Sequence, residues 1–388
     1  MTTTSAQGFT AAAVTAGIKA SGKPDMALVV NNGPHFASAG VFTRNQVKAA
    51  PVQLTQKYLG IGSTFRAVVL NAGNANACTG QKGMDDAITI AEHTARAIGV
   101  TTSEIAECST GVIGEPMPME KVIAAIPNLA LELGSDEEHG LAAARAIMTT
   151  DTVHKVAAQR GDGGYVIGGM GKGVGMMSPS LATMLIVLTT DARIENDALQ
   201  RALETAVTDT FNTVDIDGTT STNDTVVILA SGASDVRPDP EEFTRRLQAV
   251  CMDLALQQQA DGEGVTKLVD VTVTGAQSHA EACVAARTIA RDNLFKCAMF
   301  GEDPNWGRVL AAVGMADVAM DPENITVSFN RHVVCDHSTN TPDARAVDLS
   351  GKHIVVHVDL GAGGEGTGTI HTTDLSHAYV EINSAYTT

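Results

Sequence analysis

The sequence predicts a mixed α/β (α+β) protein in which large sheets are covered by helices. Strand-like apolar runs alternate with amphipathic helical segments along most of the chain, and the C-terminal part is rich in strand-like runs. The 388 residues are 44% hydrophobic and 18% charged, which is enough for a sizeable core and too apolar for disorder. Aromatic residues make up only 4%, so we expect a core of aliphatic side chains and methionine.

Before the middle of the chain, apolar runs alternate with segments of helical periodicity. The run RAVVL at 66–70 reads as a buried strand that ends in the turn-rich segment NAGNANACTG at 71–80. A helix with one apolar face follows, and a short strand then leads into a glycine turn. The predicted elements in this part are strands at 66–70 and 105–108 and helices at 85–98, 119–125 and 140–148.

The later part of the chain repeats this alternation and ends in several strands. Its predicted helices are 195–208, 241–259, 280–292 and 304–313, and its predicted strands are 184–188, 225–230, 266–274, 325–329, 353–358, 367–371 and 378–383. No low-complexity linker divides the chain. Each half is long enough to hold a core, although interleaved sheets would make the halves inseparable.

The charge and the cysteines exclude several classes of protein. Asp and Glu outnumber Lys and Arg by 44 to 26, and the resulting net charge of −18 repels nucleic acid and anionic membranes. Six scattered cysteines without a CxxC pair predict free thiols and no zinc site. The N-terminus lacks the features of a secretion signal, and the uncharged stretch at 173–190 is interrupted by glycine and proline. We therefore expect a soluble, cytoplasmic protein.

Two phosphate-binding patterns are incomplete. The segment GAGGEG at 361–366 matches G-x-G-x-x-G, but strand and turn residues follow it where a dinucleotide site needs a helix, so we expect a hairpin turn. The pair Gly171-Lys172 resembles the end of a P-loop, but Gly173 stands where Ser or Thr is required. Neither pattern is accepted as a site.

The most informative segment is KGVGMMSPSLATMLIVL at 172–188, and within it the junction Ala182-Thr183. Glycines and a proline lead to a small residue, then to a threonine, then to a continuous apolar run. If the bond before Thr183 is cut, the new α-amine lies on the same residue as the hydroxyl and can serve as its base. The pattern alone favours the simpler interpretation, a buried β-branched residue in a core strand.

Three further segments carry polar groups at turns, and each has an ordinary structural alternative. The turn STG at 109–111 follows a strand and exposes backbone N–H groups that an oxyanion needs, or is simply a turn. The segment DGEG at 261–264 recognises an ammonium group or is a solvated turn. The hydroxyls of TTDT at 149–152 cap and turn the chain or bind a ligand.

The order of these motifs resembles one family along the whole chain. The blocks are NAGNANACTG at 71, STGVIG at 109, MTTDT at 148, KGVGM and SPSLATML from 172, TSTNDT at 220, DGEG and TK from 261, GEDPNWGR at 301 and EINSAYTT at the C-terminus. This pattern is similar to the glutamate N-acetyltransferase (ornithine acetyltransferase) family of the cyclic arginine pathway. The resemblance implies a two-domain fold related to the self-processing aminopeptidases.

The resemblance also implies roles for individual residues. Members of that family cut themselves at the Ala-Thr bond, here Ala182-Thr183, which gives an α chain of residues 1–182 and a β chain of residues 183–388. Thr183 becomes the nucleophile, and Thr110 and Gly111 form the oxyanion hole. The implied substrate-binding residues are Thr149, Lys172, Thr183, Glu263, Asn383 and Thr388.

The implied reaction is a ping-pong transfer of the acetyl group from N2-acetyl-L-ornithine to L-glutamate through an acetyl-threonine. No cofactor or metal is needed, because the enzyme carries the acetyl group. The family assembles as α2β2, and some members also use acetyl-CoA as a donor, an activity that the sequence leaves open. Two alternatives remain: a related self-cleaving amidohydrolase or aminopeptidase with water as acceptor, and a non-catalytic small-molecule-binding protein with an uncut chain.

Overall fold

The computed structural model describes residues 1–178 and 184–385, which form two compact units. The first unit contains Met1–Asn212 and Thr219–Gln258, and the second contains Thr213–Gly218 and the chain from Gln259 onward. The first unit therefore takes residues from both sides of the predicted cleavage bond. The bond itself lies outside the described residues, so the division into chains 1–182 and 183–388 stays a prediction.

Within the described residues, the first unit contains nine strands and six α-helices, besides short 3₁₀-helices. The strands are β1 (Phe9–Val14), β2 (Met26–Asn31), β3 (Ala37–Phe42), β4 (Ala67–Asn74), β5 (Ile105–Val112), β6 (Lys155–Arg160), β7 (Val166–Lys172), β8 (Leu185–Thr190) and β9 (Thr225–Ala230). The helices are α1 (Ala50–Gly60), α2 (Gly80–Ile98), α3 (Met119–Leu131), α4 (Glu137–Ala146), α5 (Asn196–Thr208) and α6 (Pro240–Ala260), the last two residues of which are assigned to the second unit.

The strands of the first unit form two sheets. One sheet has the order β1-β2-β4-β5, and the other has the order β3-β9-β8-β7-β6. Strand β5 is parallel to β4, strand β8 is antiparallel to β7 and strand β9 is parallel to β8. In this register Lys172, Leu185 and Thr225 lie side by side, so the end of β7 and the starts of β8 and β9 meet at the same end of the second sheet.

The two sheets pack face to face around an aliphatic core. Their facing side chains, for example Val68 and Leu70 from one sheet and Leu185 and Val187 from the other, are fully buried in one cluster. The outer face of the first sheet packs on helices α1, α2 and α3. Helices α5 and α6 contact the second sheet, where Leu254 of α6 lies over Gly169. The unit is thus a layered structure of helices, sheet, sheet and helices.

The second unit is built on one mixed sheet with the order β13-β12-β11-β14-β10-β15. Its strands are β10 (Leu268–Ala276), β11 (Thr326–Phe329), β12 (His332–Asp336), β13 (Thr339–Asn340), β14 (His353–Asp359) and β15 (Gly366–Thr373). Its helices are α7 (His279–Arg291), α8 (Asn293–Phe300), α9 (Trp306–Val313) and α10 (His377–Ala385). Strand β10 alternates buried and half-buried residues, and its buried face packs with α7, α8 and α9 in one core.

The expected fold class is confirmed: the chain is a mixed α/β protein with two compact units of helix-covered sheets. The apolar run at 184–188 enters the fully buried strand β8, as predicted. Within the part of the chain that the structure describes, no helix has the length and apolar character to cross a membrane.

Two local predictions are wrong. Residues 378–383 form part of helix α10 instead of a strand, because the Ser376 hydroxyl accepts a hydrogen bond from the Tyr379 N–H at 3.1 Å and caps a helix there. The segment GAGGEG is no hairpin turn either. Strands β14 and β15 both pair with β10, one on each side, so this segment crosses the end of β10.

Candidate active site

The predicted oxyanion residues lie at the end of β5. Thr110 is buried, and Gly111 has a φ of 134°, a conformation that residues with a side chain rarely adopt. Gly111 lies opposite Gly73 of β4, and a Cβ atom on Gly111 would overlap the Gly73 backbone. Only glycine therefore fits at this position.

The predicted substrate-binding lysine reaches this point from the other sheet. Lys172 is the last residue of β7, and its side chain is buried. Its Nζ lies 3.5 Å from the Thr110 Oγ1 and 3.9 Å from an Asp151 carboxylate oxygen. The structure thus brings Thr110 and Lys172 together from positions 62 residues apart.

Asp151 joins the elements around Lys172. One of its carboxylate oxygens accepts hydrogen bonds from the Lys155 Nζ at 2.8 Å and the Gly173 N–H at 2.9 Å. The other accepts the Thr149 N–H at 3.0 Å. Burial raises the pKa of Asp151, but the Lys172 and Lys155 ammonium groups outweigh it and hold that pKa at about 2. The carboxylate is therefore charged at neutral pH and fixes two predicted binding residues, Thr149 and Lys172.

The start of β8 is held between Asp224 and Thr225. The Met184 N–H donates to the Asp224 Oδ1 at 3.1 Å, and the Met184 carbonyl accepts the Thr225 N–H at 3.1 Å. Burial raises the pKa of Asp224 well above its usual value, although the Met184 N–H and the Lys172 ammonium act in the opposite direction. Ala182 and Thr183, the predicted cleavage site and nucleophile, lie outside the described residues.

Asn223 connects the start of β9 to the first sheet. Its side-chain amide donates to the Ser109 carbonyl at 2.8 Å and to the Ala75 carbonyl at 2.7 Å. Because Ser109 directly precedes Thr110, this contact fixes the loop before β9 against the end of β5. An acyl-transfer site must hold an anionic substrate and an oxyanion. A buried ammonium group and a glycine backbone, both fixed in place by hydrogen bonds, are suited to that task.

Two of the predicted binding residues lie in the second unit, where they contact each other. The Asn383 side-chain amide donates to a Glu263 carboxylate oxygen at 2.9 Å and to the Tyr379 carbonyl at 3.0 Å. Gly264, next to Glu263, has a φ of 65° and packs directly on the Tyr379 backbone. The remaining predicted residue, Thr388, lies outside the described residues.

Four residues of the site were not singled out from the sequence. Asp151, Asn223 and Asp224 stand inside the motifs MTTDT and TSTNDT, but a short polar run does not show which of its members is buried. Lys155 follows Asp151 by four residues at the start of a strand, where neither propensity nor periodicity indicates an ion pair. Among residues 1–178 and 184–385, no group of three or more His, Cys, Asp or Glu side chains is arranged to hold a metal ion.

Comparisons with known proteins agree with this picture. The ArgJ family model matches residues 10–388. The chain is 56% identical to the arginine biosynthesis bifunctional protein ArgJ of Mycobacterium bovis over 99% of its own length and 96% of that protein. It is 52% identical to the protein of the same name from Thermobifida fusca, with both chains fully covered.

A solved structure is similar to part of the chain. The crystal structure of ornithine acetyltransferase complexed with ornithine from Mycobacterium tuberculosis is 47% identical and covers 47% of this chain and 96% of its own, with a TM-score of 0.45. The family assignment rests on the match over 10–388 and on the two full-length relatives. The chain belongs to the ArgJ family.

Proposed function

We propose that this protein transfers the acetyl group of N2-acetyl-L-ornithine to L-glutamate, which yields L-ornithine and N-acetyl-L-glutamate for arginine biosynthesis. The observation that carries the proposal is the buried cluster in which the Lys172 ammonium lies 3.5 Å from the Thr110 hydroxyl, beside Gly111. The membership of the chain in a family whose members are named for arginine biosynthesis supports the choice of reaction.

Thr183 is the proposed nucleophile, released by cleavage of the Ala182-Thr183 bond. Its neutral α-amine takes the hydroxyl proton while Oγ attacks the acetyl carbonyl carbon. Thr110 and Gly111 are the proposed donors to the oxyanion of the tetrahedral intermediate. The bond between the carbonyl carbon and the ornithine nitrogen then breaks, the proton moves to that nitrogen, and the acetyl group stays on Thr183 as an ester.

The second half of the reaction reverses these steps with glutamate. Its neutral α-amine attacks the ester carbonyl, the same donors hold the oxyanion, and the proton returns to the Thr183 oxygen through the terminal amine. Both amino acids carry an α-carboxylate, which is the proposed ligand of Lys172. Asp151 lies 2.8 Å from the Lys155 Nζ and 3.9 Å from the Lys172 Nζ, so one carboxylate is shared between two ammonium groups.

The remaining predicted residues are also proposed to bind substrate. Thr149, held through its N–H by Asp151, lies in the first unit with Lys172. Glu263 and Asn383 contact each other in the second unit and, with Thr388, are proposed to bind the amino-acid substrates. A carboxylate such as Glu263 suits the side-chain ammonium group of ornithine.

The proposal includes a compartment and an assembly. We assign the protein to the cytoplasm, because all six cysteines are free thiols, as is usual in a reducing compartment, and its relatives are named for biosynthesis. We propose that the α and β chains stay associated as α2β2. The word bifunctional in the relatives' names supports a second donor, acetyl-CoA, for the same acetyl-threonine.

The direct test is a transfer assay with acetylornithine in the presence and absence of glutamate. The proposal predicts ornithine release that depends on glutamate, with one N-acetylglutamate formed for each ornithine. Release at the same rate without glutamate would instead indicate the hydrolase, in which water is the acceptor. Thr183→Ala should abolish both cleavage and transfer, whereas Cys283→Ala, a change far along the chain, should leave both intact.

A further inference from the structure

Lys19 is a cation of the first unit that has no role in the mechanism above. It lies in the loop between β1 and β2, where the buried Asp25 carboxylate accepts four consecutive backbone N–H groups. These donors are Ala16 at 2.6 Å, Gly17 at 3.0 Å, Ile18 at 2.6 Å and Lys19 at 3.0 Å. The backbone of Lys19 is therefore fixed, which sets the direction in which its side chain leaves the loop.

The Lys19 side chain packs beside the predicted oxyanion hole. Gly73 of β4 pairs with Gly111 of β5 in the register of the first sheet. A Cβ atom on Gly73 would lie 3.2 Å from the Lys19 Cγ and 3.2 Å from the Lys19 backbone nitrogen. Because glycine leaves that space empty, the Lys19 side chain runs directly over Gly73. Lys19 is thus brought to the site from outside the motifs that the sequence singled out.

The Lys19 ammonium reaches the segment that leads to Thr149. Its Nζ donates to the carbonyl of Ala146, the last residue of α4, and to that of Pro24, each at 2.8 Å. Ala146 stands three residues before Thr149, a predicted substrate-binding residue. An ammonium group has three N–H donors, and within the described residues Lys19 uses two of them. One donor of a half-buried cation therefore remains for a ligand.

The electrostatic setting of Lys19 favours an anionic ligand. Burial lowers the pKa of Lys19 to about 8, so the ammonium form prevails at neutral pH. The charged groups that act on Lys19 are two carboxylates and two ammonium groups, those of Asp25, Asp151, Lys172 and Lys23. Lys155 adds another ammonium group at Asp151. Positive charges therefore outnumber negative ones in this cluster, although the net charge of the chain is −18.

The two substrates of the proposed reaction differ in the charge of their side chains. Both carry the α-carboxylate that is assigned to Lys172. Beyond it, acetylornithine ends in an ammonium group, whereas glutamate ends in a carboxylate. A second ammonium group that senses the Lys172 charge therefore favours glutamate over an uncharged amino acid of the same shape.

We propose that Lys19 binds the γ-carboxylate of glutamate and so selects an acidic acceptor for the acetyl group. This inference rests on the function proposed above, because glutamate is the acceptor only if that function holds. Lys172 takes the α-carboxylate, and the remaining N–H of the Lys19 ammonium takes the side-chain carboxylate. Lys19 exchanges no proton with the substrate; it determines specificity in the second half of the reaction.

The test compares glutamate with glutamine as acceptors, in the unmodified protein and in Lys19→Met. Glutamine has the same shape without the side-chain charge, and methionine keeps most of the length of the lysine side chain. In a ping-pong reaction, kcat/KM of the acceptor reports the second half-reaction alone, and kcat/KM of acetylornithine reports the first. Lys121→Met is the matched control, because the exposed Lys121 Nζ donates to the same loop, at the Gly17 carbonyl, over 3.1 Å.

We expect the unmodified protein to prefer glutamate over glutamine at least about tenfold in kcat/KM, the discrimination that one hydrogen bond to a charged group supplies. Lys19→Met should bring the two acceptors within about threefold of each other, while kcat/KM for acetylornithine stays within about twofold. Lys19→Arg, which keeps the positive charge, should recover part of the preference. Lys121→Met should keep all of it.

Equal losses with glutamate and glutamine in Lys19→Met would overturn the inference, since Lys19 would then only support the neighbouring glycines. A normal preference for glutamate in that variant, or no preference in the unmodified protein, would overturn it as well. So would a failure of Lys19→Met and Lys19→Arg to fold while Lys121→Met folds. Failure of the proposed function gives a different result: the unmodified protein would transfer the acetyl group to neither acceptor.

Discussion

Replacing Lys155 with methionine tests the charge balance on which the site depends. The Lys155 and Asp151 side chains are both inaccessible to solvent and 2.8 Å apart. The Asp151 pKa of about 2 lies nearly two pH units below its usual 3.8, which corresponds to about 2.5 kcal/mol. Removing one partner of a buried pair costs about 3–5 kcal/mol, and the low end applies here because Lys172, 3.9 Å from Asp151, still compensates part of its charge. We therefore expect Lys155→Met to lower the free energy of unfolding by roughly 3 kcal/mol at pH 7.

The assay is equilibrium urea unfolding at several pH values, with Lys82→Met as the control. Lys82 also pairs with an acid four residues away, Asp86, but its side chain is 64% exposed, so that substitution should cost less than about 1 kcal/mol. The lowered Asp151 pKa stabilises the fold above pH 4, and this stabilisation disappears as the pH falls toward 2. The difference between Lys155→Met and the unmodified protein should therefore shrink over that range. Equal losses in the two variants, or a difference independent of pH, would show that the Asp151–Lys155 pair does not supply this stability.

Three further predictions concern single residues. Gly111→Ala forces a side chain into the Gly73 backbone at a φ of 134°. It should therefore lower the free energy of unfolding by roughly 1–3 kcal/mol and lower kcat by about 10²–10³. A normal kcat would contradict the assignment of Gly111 to the oxyanion hole. In steady-state assays, Thr110→Ala should lower kcat by about 10²–10³ with little change in KM. A change confined to KM would argue against an oxyanion role for Thr110. Burial lowers the pKa of Lys296 to about 8, so stability should rise between pH 8 and 10.5 as its ammonium deprotonates. Lys296→Met should remove that rise from the urea unfolding curves, by about 3 kcal/mol, and an unchanged rise would show that another group causes it.

The helices and the most apolar strands were predictable because their own residues determine their secondary structure. Helices α2, α5 and α7 carry one apolar face at helical spacing, and the sequence predictions overlap them closely. Strands β8 and β9 are fully buried apolar runs and were also predicted. In these elements local propensity and tertiary packing agree.

Several strands could not be predicted, because pairing with neighbouring strands, and not their own residues, gives them their strand structure. Strand β7 has the sequence VIGGMGK, in which three glycines give little strand propensity, and β1 has the alanine-rich sequence FTAAAV. Both exist because partners pair with them: β7 lies between β6 and β8, and β1 pairs with β2. Such glycine-rich strands allow close packing, as where Leu254 lies over Gly169.

The site shows the same division between local and distant causes. Thr110, Gly111 and Lys172 were predicted through family resemblance, and the structure brings them to one place from two sheets. The Asp151–Lys155 pair and the Asp224–Met184 contact depend on burial by distant segments. A sequence motif marks where polar residues lie, but their burial and pairing follow only from the assembled sheets.

The most direct test of Thr183 as the acetyl carrier is the intact mass of the polypeptides after a short incubation with N-acetylornithine alone, followed by acid quenching. We expect two polypeptides, 1–182 and 183–388, and the added mass of one acetyl group on the second, at Thr183. Adding glutamate before the quench should remove that acetyl group. A single uncut polypeptide that still produces N-acetylglutamate at the full rate, or an acetyl group on any residue other than Thr183, would contradict it.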